Sequence, residues 1–344
     1  MPAGAVAQRQ IEAEVHPGDD LLLGFVHARE RGAAQAQLAD RVGRGGLDVV
    51  GDLGGVVAAA GVYAGGVTAE VPGSCFLSSE VFERVGMLGP LSLARVNLVE
   101  IHHFTGNLRR GLELAEKTCQ LARETHHPLG MSRGRHHKSL LLVDLGRYAE
   151  GLAEAEAAAE IGRTLDDKDQ EVVIFVALIR AGWAMGDLGL VRRTLSALEP
   201  LMPRYDSEGF APILLAWRAR LAAHDGDKES ARKLLQEALD HPGTRWPYQE
   251  CRLDPGLARV YAELGDHGEA TRRGESAIRR ADAAGFRYYS LKGHCIAAEH
   301  SADDAAVARH KRVADALARS LAANLSREDG ERFLDVEWLQ PIHG

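Results

Sequence analysis

The stretch Val260-Tyr261-Ala262-Glu263-Leu264-Gly265-Asp266-His267-Gly268-Glu269-Ala270 decides how this chain folds. Leu257, Val260, Tyr261 and Leu264 recur at helical spacing, and Gly265 then interrupts the pattern before a second helical run begins. A glycine in that place supplies the left-handed residue that ends one helix and releases the next. The same punctuation occurs upstream at Gly106-Asn107, Gly146-Arg147, Gly186-Asp187 and Gly226-Asp227, with spacings of 40, 40, 40 and 39 up to Gly265. Three further columns keep this register. Five residues past the turn stand Gly111, Gly151, Val191, Ala231 and Ala270; twelve past it stand Thr118, Ala158, Leu198, Ala238 and Ala277. Seven before it stand Val99, Ser139, Ile179, Ala219 and Ala258. Mostly small residues at these points let two antiparallel helices approach closely, so each period reads as a helical hairpin.

A sixth unit is expected from Tyr288 to Leu325, turning at His300-Ser301-Ala302-Asp303 without a glycine, as terminal repeats often do. Beyond it, Asp335 to Gly344 reads as a short extended tail. The columns resemble the tetratricopeptide signature: a small residue mid-helix, Leu-Gly closing it, and two alanines in the partner helix. Leu145-Gly146-Arg147-Tyr148-Ala149-Glu150-Gly151 is the second closest match. The period near 40 departs from the usual period of about 34. Longer repeats of this kind are found in large bacterial signalling ATPases linked to transcription activation or nucleotide cyclases. The segment from Glu83 through His127-Pro128 to Leu145 and the tail Leu317 to Leu334 look like that group. The resemblance implies an all-α, right-handed superhelical solenoid of about five to six TPR-like repeats. It divides the chain into a Gly/Ala-rich leader (1–75), a repeat array (76–326) and a C-terminal tail (327–344).

The leader differs in character. No lysine precedes Lys117, glycines cluster in 43–46 and 51–66, and Ala28 to Val42 or Leu47 to Val50 offer only brief helix or strand patterns. It reads as a small α/β fragment, a disordered leader or a stretch that is not a natural domain. Its charge-free run Leu53 to Ala69 is diluted by five glycines and falls short of a membrane span.

Composition narrows the function classes. A net charge of −8 and a pI near 6.0 argue against general nucleic-acid binding. Cys75, Cys119, Cys251 and Cys295 are dispersed, which fits neither a zinc framework nor a disulfide scaffold and points to a reducing cytoplasm. No Gly-x4-Gly-Lys-Ser/Thr loop is present, so nucleotide binding is not expected and any ATPase or cyclase module would be a separate partner. Gly130-Met131-Ser132-Arg133-Gly134 matches a nucleophile elbow by spacing, but no strand precedes it, so it reads as a loop whose Ser132 caps the next helix. The histidine pairs 102–103, 126–127 and 136–137 include Glu100/His103 and Glu124/His127 at a di-metal spacing. Adjacent histidines on a helix diverge by about 100°, which favours ordinary half-exposed histidines over a metal site. Asp166-Asp167 and Asp303-Asp304 read as turn or cap residues. No enzyme activity and no cofactor are expected.

The sharpest functional signal is a ladder six residues before the turn: Glu100, Leu140, Arg180, Arg220 and Arg259. In tetratricopeptide arrays this helix lines the concave groove. The resemblance therefore implies three stacked arginines, with Trp183, His103, Arg133, His136, His224 and Arg252 as further groove residues. Arginine forks suit carboxylates, so the expected partner is a protein or an acidic or C-terminal peptide segment. The plain alternative is that the ladder pairs with acids such as Glu263 and only solubilises its helices. A C-terminal remnant of an ATP-dependent transcription regulator or cyclase-type protein, sensing a small effector, is the competing function.

Overall fold

A computed structural model describes residues 79, 82–84, 86–165, 168–200, 211–241 and 247–342, with side chains left undescribed at 90, 168–173 and 247–249. The expectations for the 1–75 leader, the run Leu53 to Ala69, Cys75 and Asp166-Asp167 lie outside the described residues. The chain divides at Leu98/Val99 into two units, and helix α1, Leu88–Thr105, runs across the division. In the first unit Leu91, Val96 and Leu98 are buried, and Arg95 pairs with Glu83 at 3.2 Å.

The second unit continues with α2 (Leu108–Glu124), α3 (Pro128–Asp144), α4 (Tyr148–Thr164), α5 (Lys168–Ala184) and α6 (Leu188–Leu198). Then follow α7 (Ala211–His224), α8 (Lys228–Asp240), α9 (Pro247–Glu263) and α10 (His267–Ala284). The unit ends with α11 (Arg287–His300), α12 (Asp304–Ala322), α13 (Arg327–Leu334) and a 3-10 turn, Glu337–Ile342. Among the described residues there is no strand, so the fold is all-α. None of these helices is long and apolar enough to cross a membrane.

The turn glycines act as the spacing predicted. Gly106, Gly146, Gly186, Gly226 and Gly265 have φ between 72° and 86°, the left-handed region that costs glycine nothing. The residue after the glycine completes several turns: Asp187, Asp227 and Asp266 accept the backbone N–H of Leu190, Ser230 and Glu269 at 2.9–3.1 Å. Between α2 and α3, where no glycine stands, His126 takes φ 51° instead, and His127 Nδ1 accepts the N–H of Gly130 at 3.1 Å.

All fifteen column residues are buried. The reason is visible at α3/α4, where Ser139 Oγ donates to the carbonyl of Gly151 at 2.7 Å. A Cβ on Gly151 would stand 2.7 Å from Val143 Cγ2 and 3.1 Å from the Ser139 carbonyl. Backbones this close exclude any larger side chain. The first helices of the hairpins also touch one another: α3 meets α5, α7 meets α9, and α9 meets α11. Their shared core runs through Ile179, Leu214, Leu257 and Val260.

Helices α10 and α11 cross as closely as α3 and α4. A Cβ on Gly293 would lie 2.7 Å from both the Gly274 carbonyl and Ile278 Cγ1. Gly293→Ala is therefore expected to lose ~1–3 kcal/mol of stability by overpacking, against a helix-propensity gain of at most ~1 kcal/mol. Exposed Gly268→Ala, whose nearest neighbour is 3.7 Å away, is the control in a thermal melt. Equal melting temperatures for the two would show that the crossing tolerates the methyl group.

Two local expectations are corrected. Gly130 to Gly134 lies inside α3, not in a loop, because His127 and Pro128 start the helix earlier. Ser132 is not a cap; it is buried and its Oγ donates to the Ala158 carbonyl at 3.1 Å. The segment after Asp335 is not extended. Val336, Leu339 and Ile342 are buried where the 3-10 turn folds back on α11 and α12. Their apolar side chains at i, i+3 and i+6 suit the three-residue period of that helix type.

Candidate functional site

The first helices of the hairpins and the C-terminal turn surround a cavity of ≈ 340 Å³. Its charged lining comes from Arg180 on α5, Arg220 on α7, Arg252 and Arg259 on α9, and Lys292 on α11, against Asp144, Glu299 and Glu337. Its aromatic lining is Tyr148, Trp183, Trp217, Tyr289 and Trp338. The volume is at the lower end of the range for small-molecule sites.

The ladder arginines share this cavity, and each also meets an acid from a neighbouring helix. Arg180 Nη2 donates to Asp144 Oδ1. Arg220 Nε donates to Glu263 Oε1 at 3.0 Å, and Arg259 Nη1 to Glu299 Oε2 at 2.7 Å. Arg252 Nη1 reaches Glu100 Oε1 at 3.3 Å. The Arg220 guanidinium also lies 4.1 Å from the centre of the Trp183 ring and 5.5 Å from that of Trp217. Stacked in this way it is held in one orientation while its fork stays planar.

Of the nine groove residues expected from sequence, Arg180, Arg220, Arg252, Arg259 and Trp183 line the cavity. His224 stands behind Trp183, ring centres 5.8 Å apart, and His103 stands behind Asp144. His136 is buried against His137, 4.9 Å between rings, and neither it nor half-buried Arg133 lines the cavity.

Asp144 is the hub. His103 Nε2 donates to its Oδ2 at 2.6 Å, while Arg180 and, at 3.8 Å, Lys292 Nζ approach Oδ1. Burial alone would raise this carboxyl. Arg180, Lys292 and the bond from His103 outweigh it and hold the group well below the ordinary carboxylate range. His103, desolvated, titrates below its usual value and is neutral at pH 7 despite its acidic partner. The hub joins four helices distant in sequence. Alongside it Phe104 packs on Phe286 and Tyr289 with ring centres 5.2 and 5.3 Å apart. Within this unit the row of helices thus closes on itself.

No family model and no curated protein matches this sequence.

The chemistry of the site therefore has to be read from its own side chains. Among the described residues no group of three or more His, Cys, Asp and Glu side chains is placed to hold a metal ion. Burial pushes the thiols of Cys119, Cys251 and Cys295 up to about 11, 12 and 12, so thiolate chemistry is not accessible there at neutral pH. The arrangement offers fixed cations, carboxylates that position them, and flat apolar walls.

Asp144, Lys292, Trp217, Tyr289 and Trp338 were not singled out from sequence. A signal existed for the first: Asp144 and Glu263 both stand two residues before a turn glycine, and both receive a ladder arginine. Lys292 and Trp338 belong to units without a turn glycine, so no column could index them.

Proposed function

We propose that this chain is a regulatory binding module, a right-handed TPR-like solenoid that recognises an acidic or C-terminal segment of a partner protein on its inner face. One observation carries the reading: arginines from three successive hairpins line one cavity beside Trp183. Each uses a single nitrogen on its own acid, and among the described residues no second acceptor meets Arg180, Arg220 or Arg259. Guanidinium groups held by one carboxylate keep N–H groups for another, at little further cost in side-chain entropy. Consistent roles are a cytoplasmic adaptor or sensor without catalytic activity, acting beside a separate ATPase or cyclase module. The small size of the cavity favours a second reading, a remnant of a larger ATP-dependent regulator that senses a small effector.

The test is fluorescence anisotropy of labelled acidic peptides, internal and C-terminal, titrated with the full chain. Arg259→Gln combined with Trp183→Leu is expected to weaken binding roughly tenfold or more, and added salt to weaken wild-type binding further. Affinity unchanged by both variant and salt would remove the inner face as the binding surface. The variant's circular dichroism melt separates loss of binding from loss of fold.

A further inference from the structure

Lys292 differs from the other cations of the cavity. Its Nζ has no hydrogen-bond acceptor among the described residues; Asp144, its nearest acid at 3.8 Å, is already taken by Arg180 and His103. The ammonium lies 4.6 Å from the Tyr288 ring centre and 5.2 Å from that of Trp338. The charged and titratable groups around it are His103 on α1, Asp144 on α3, Arg180 on α5, Arg259 on α9, Cys295 and Glu299 on α11, and Glu337 on the C-terminal turn. Four of the five cations of the cavity are hydrogen-bonded to a carboxylate, Arg180 to Asp144, Arg220 to Glu263, Arg252 to Glu100 and Arg259 to Glu299; among the described residues Lys292 alone is not. Burial first, and then Arg180 and Arg259, bring the Lys292 ammonium down to about 8 in spite of Asp144. An anion at hydrogen-bond distance from Nζ would supply the acceptor that Lys292 lacks and offset the burial of its charge.

The remaining lining is aromatic, and the C-terminal turn already places a carboxylate beside an indole, Glu337 and Trp338, on the same wall. A void of ≈ 340 Å³ admits one ring-bearing molecule and little more. We propose that the cavity binds a small aromatic carboxylate, with Lys292 and Arg259 as its charge contacts and Trp217 and Trp338 as its walls. The inference rests on the inner-face reading for its location only. It assigns a free small molecule where that reading assigns a partner's segment.

Isothermal titration of the full chain with N-acetyl-tryptophan, and with its uncharged amide, tests this. The acid is expected to bind roughly tenfold or more tightly than the amide, since a charge-assisted contact is lost. Its affinity should fall about tenfold from pH 7 to pH 9.5 as Lys292 loses its proton. Lys292→Arg should keep the affinity at pH 7 and flatten the pH dependence, whereas Lys292→Gln should lower it to the level seen at high pH. Equal binding of acid and amide, no binding of either, or a pH profile unchanged in Lys292→Arg would overturn the proposal. A tryptophan-ended peptide with a free carboxylate is the distinguishing arm. If it binds and the free acid does not, the small-molecule assignment falls while the partner-segment reading stands. If acidic peptides fail and the free acid binds, the reverse holds.

Discussion

Asp144→Asn is expected to destabilise the folded chain by about 3–5 kcal/mol, the usual cost of breaking a buried ion pair while leaving its partner charged. The amide keeps the shape of the side chain, so the loss isolates charge. Arg180 and Lys292 would face one another without their common counter-ion, and His103 Nε2–H would lose a charged acceptor. Because the hub ties α1, α3, α5 and α11 together, the effect should appear as one cooperative transition shifted to lower urea, not as fraying at one end. Adding Arg180→Met should recover part of the loss, since an apolar pair of similar volume carries no buried charge. A loss below about 1 kcal/mol would mean that water reaches these groups and the hub is no more than a surface pair.

The second large effect is acid sensitivity well above the carboxylate range. Burial, followed by Arg252, His103 and Arg133, lowers His137 to about 3. Burial and the neighbouring His310 lower His294 to about 4. The His294 and His310 rings share one hydrogen bond, Nδ1 to Nδ1 at 2.8 Å, which requires one imidazole to accept and so forbids protonation of both. A histidine whose folded value is depressed takes up protons in the unfolded chain first. Stability is then complete above 6.5 and drains away as pH falls towards the folded values. For His294 alone this amounts to on the order of 3 kcal/mol by pH 4. Urea midpoints measured from pH 7.5 to 4.5 should decline steadily below 6.5, and His294→Gln should make that decline shallower. A flat profile down to pH 5 would show that these imidazoles are solvated in the folded chain.

The hairpin pattern was legible because its signals are local. A glycine every 40 residues, with small residues five and twelve places on, specifies where a helix stops and which face of the next comes close. Gly146, Ser139 and Gly151 show the reasoning carried through: a left-handed turn, and then two helices near enough for Ser139 to bond the Gly151 carbonyl. Legibility failed where a different residue did the same job. His126 replaces a glycine at positive φ, and His127 with Pro128 begins α3 early enough to absorb the Gly-x-Ser-x-Gly run. The C-terminal turn was missed because three buried side chains in a ten-residue segment give too short a pattern to read.

The site was half legible for the same reason. The arginine ladder and Trp183 were found by register, and of the acids that pair with the ladder Glu263 was named as a partner while Asp144 and Glu299 were not. Which acid meets which arginine was not readable: the pairs span 36, 43, 40 and 152 residues. By itself, then, the sequence determined the helical hairpins, their turns and the small-residue contacts inside them, since all of these depend on backbone preference and neighbours within one period. Only the tertiary structure decided that α1 would return to α11, that Asp144 would gather His103, Arg180 and Lys292, and that the charges would enclose a cavity. Those outcomes depend on the crossing angles accumulated from hairpin to hairpin, where a small change at each crossing moves side chains many repeats apart by more than the reach of a hydrogen bond.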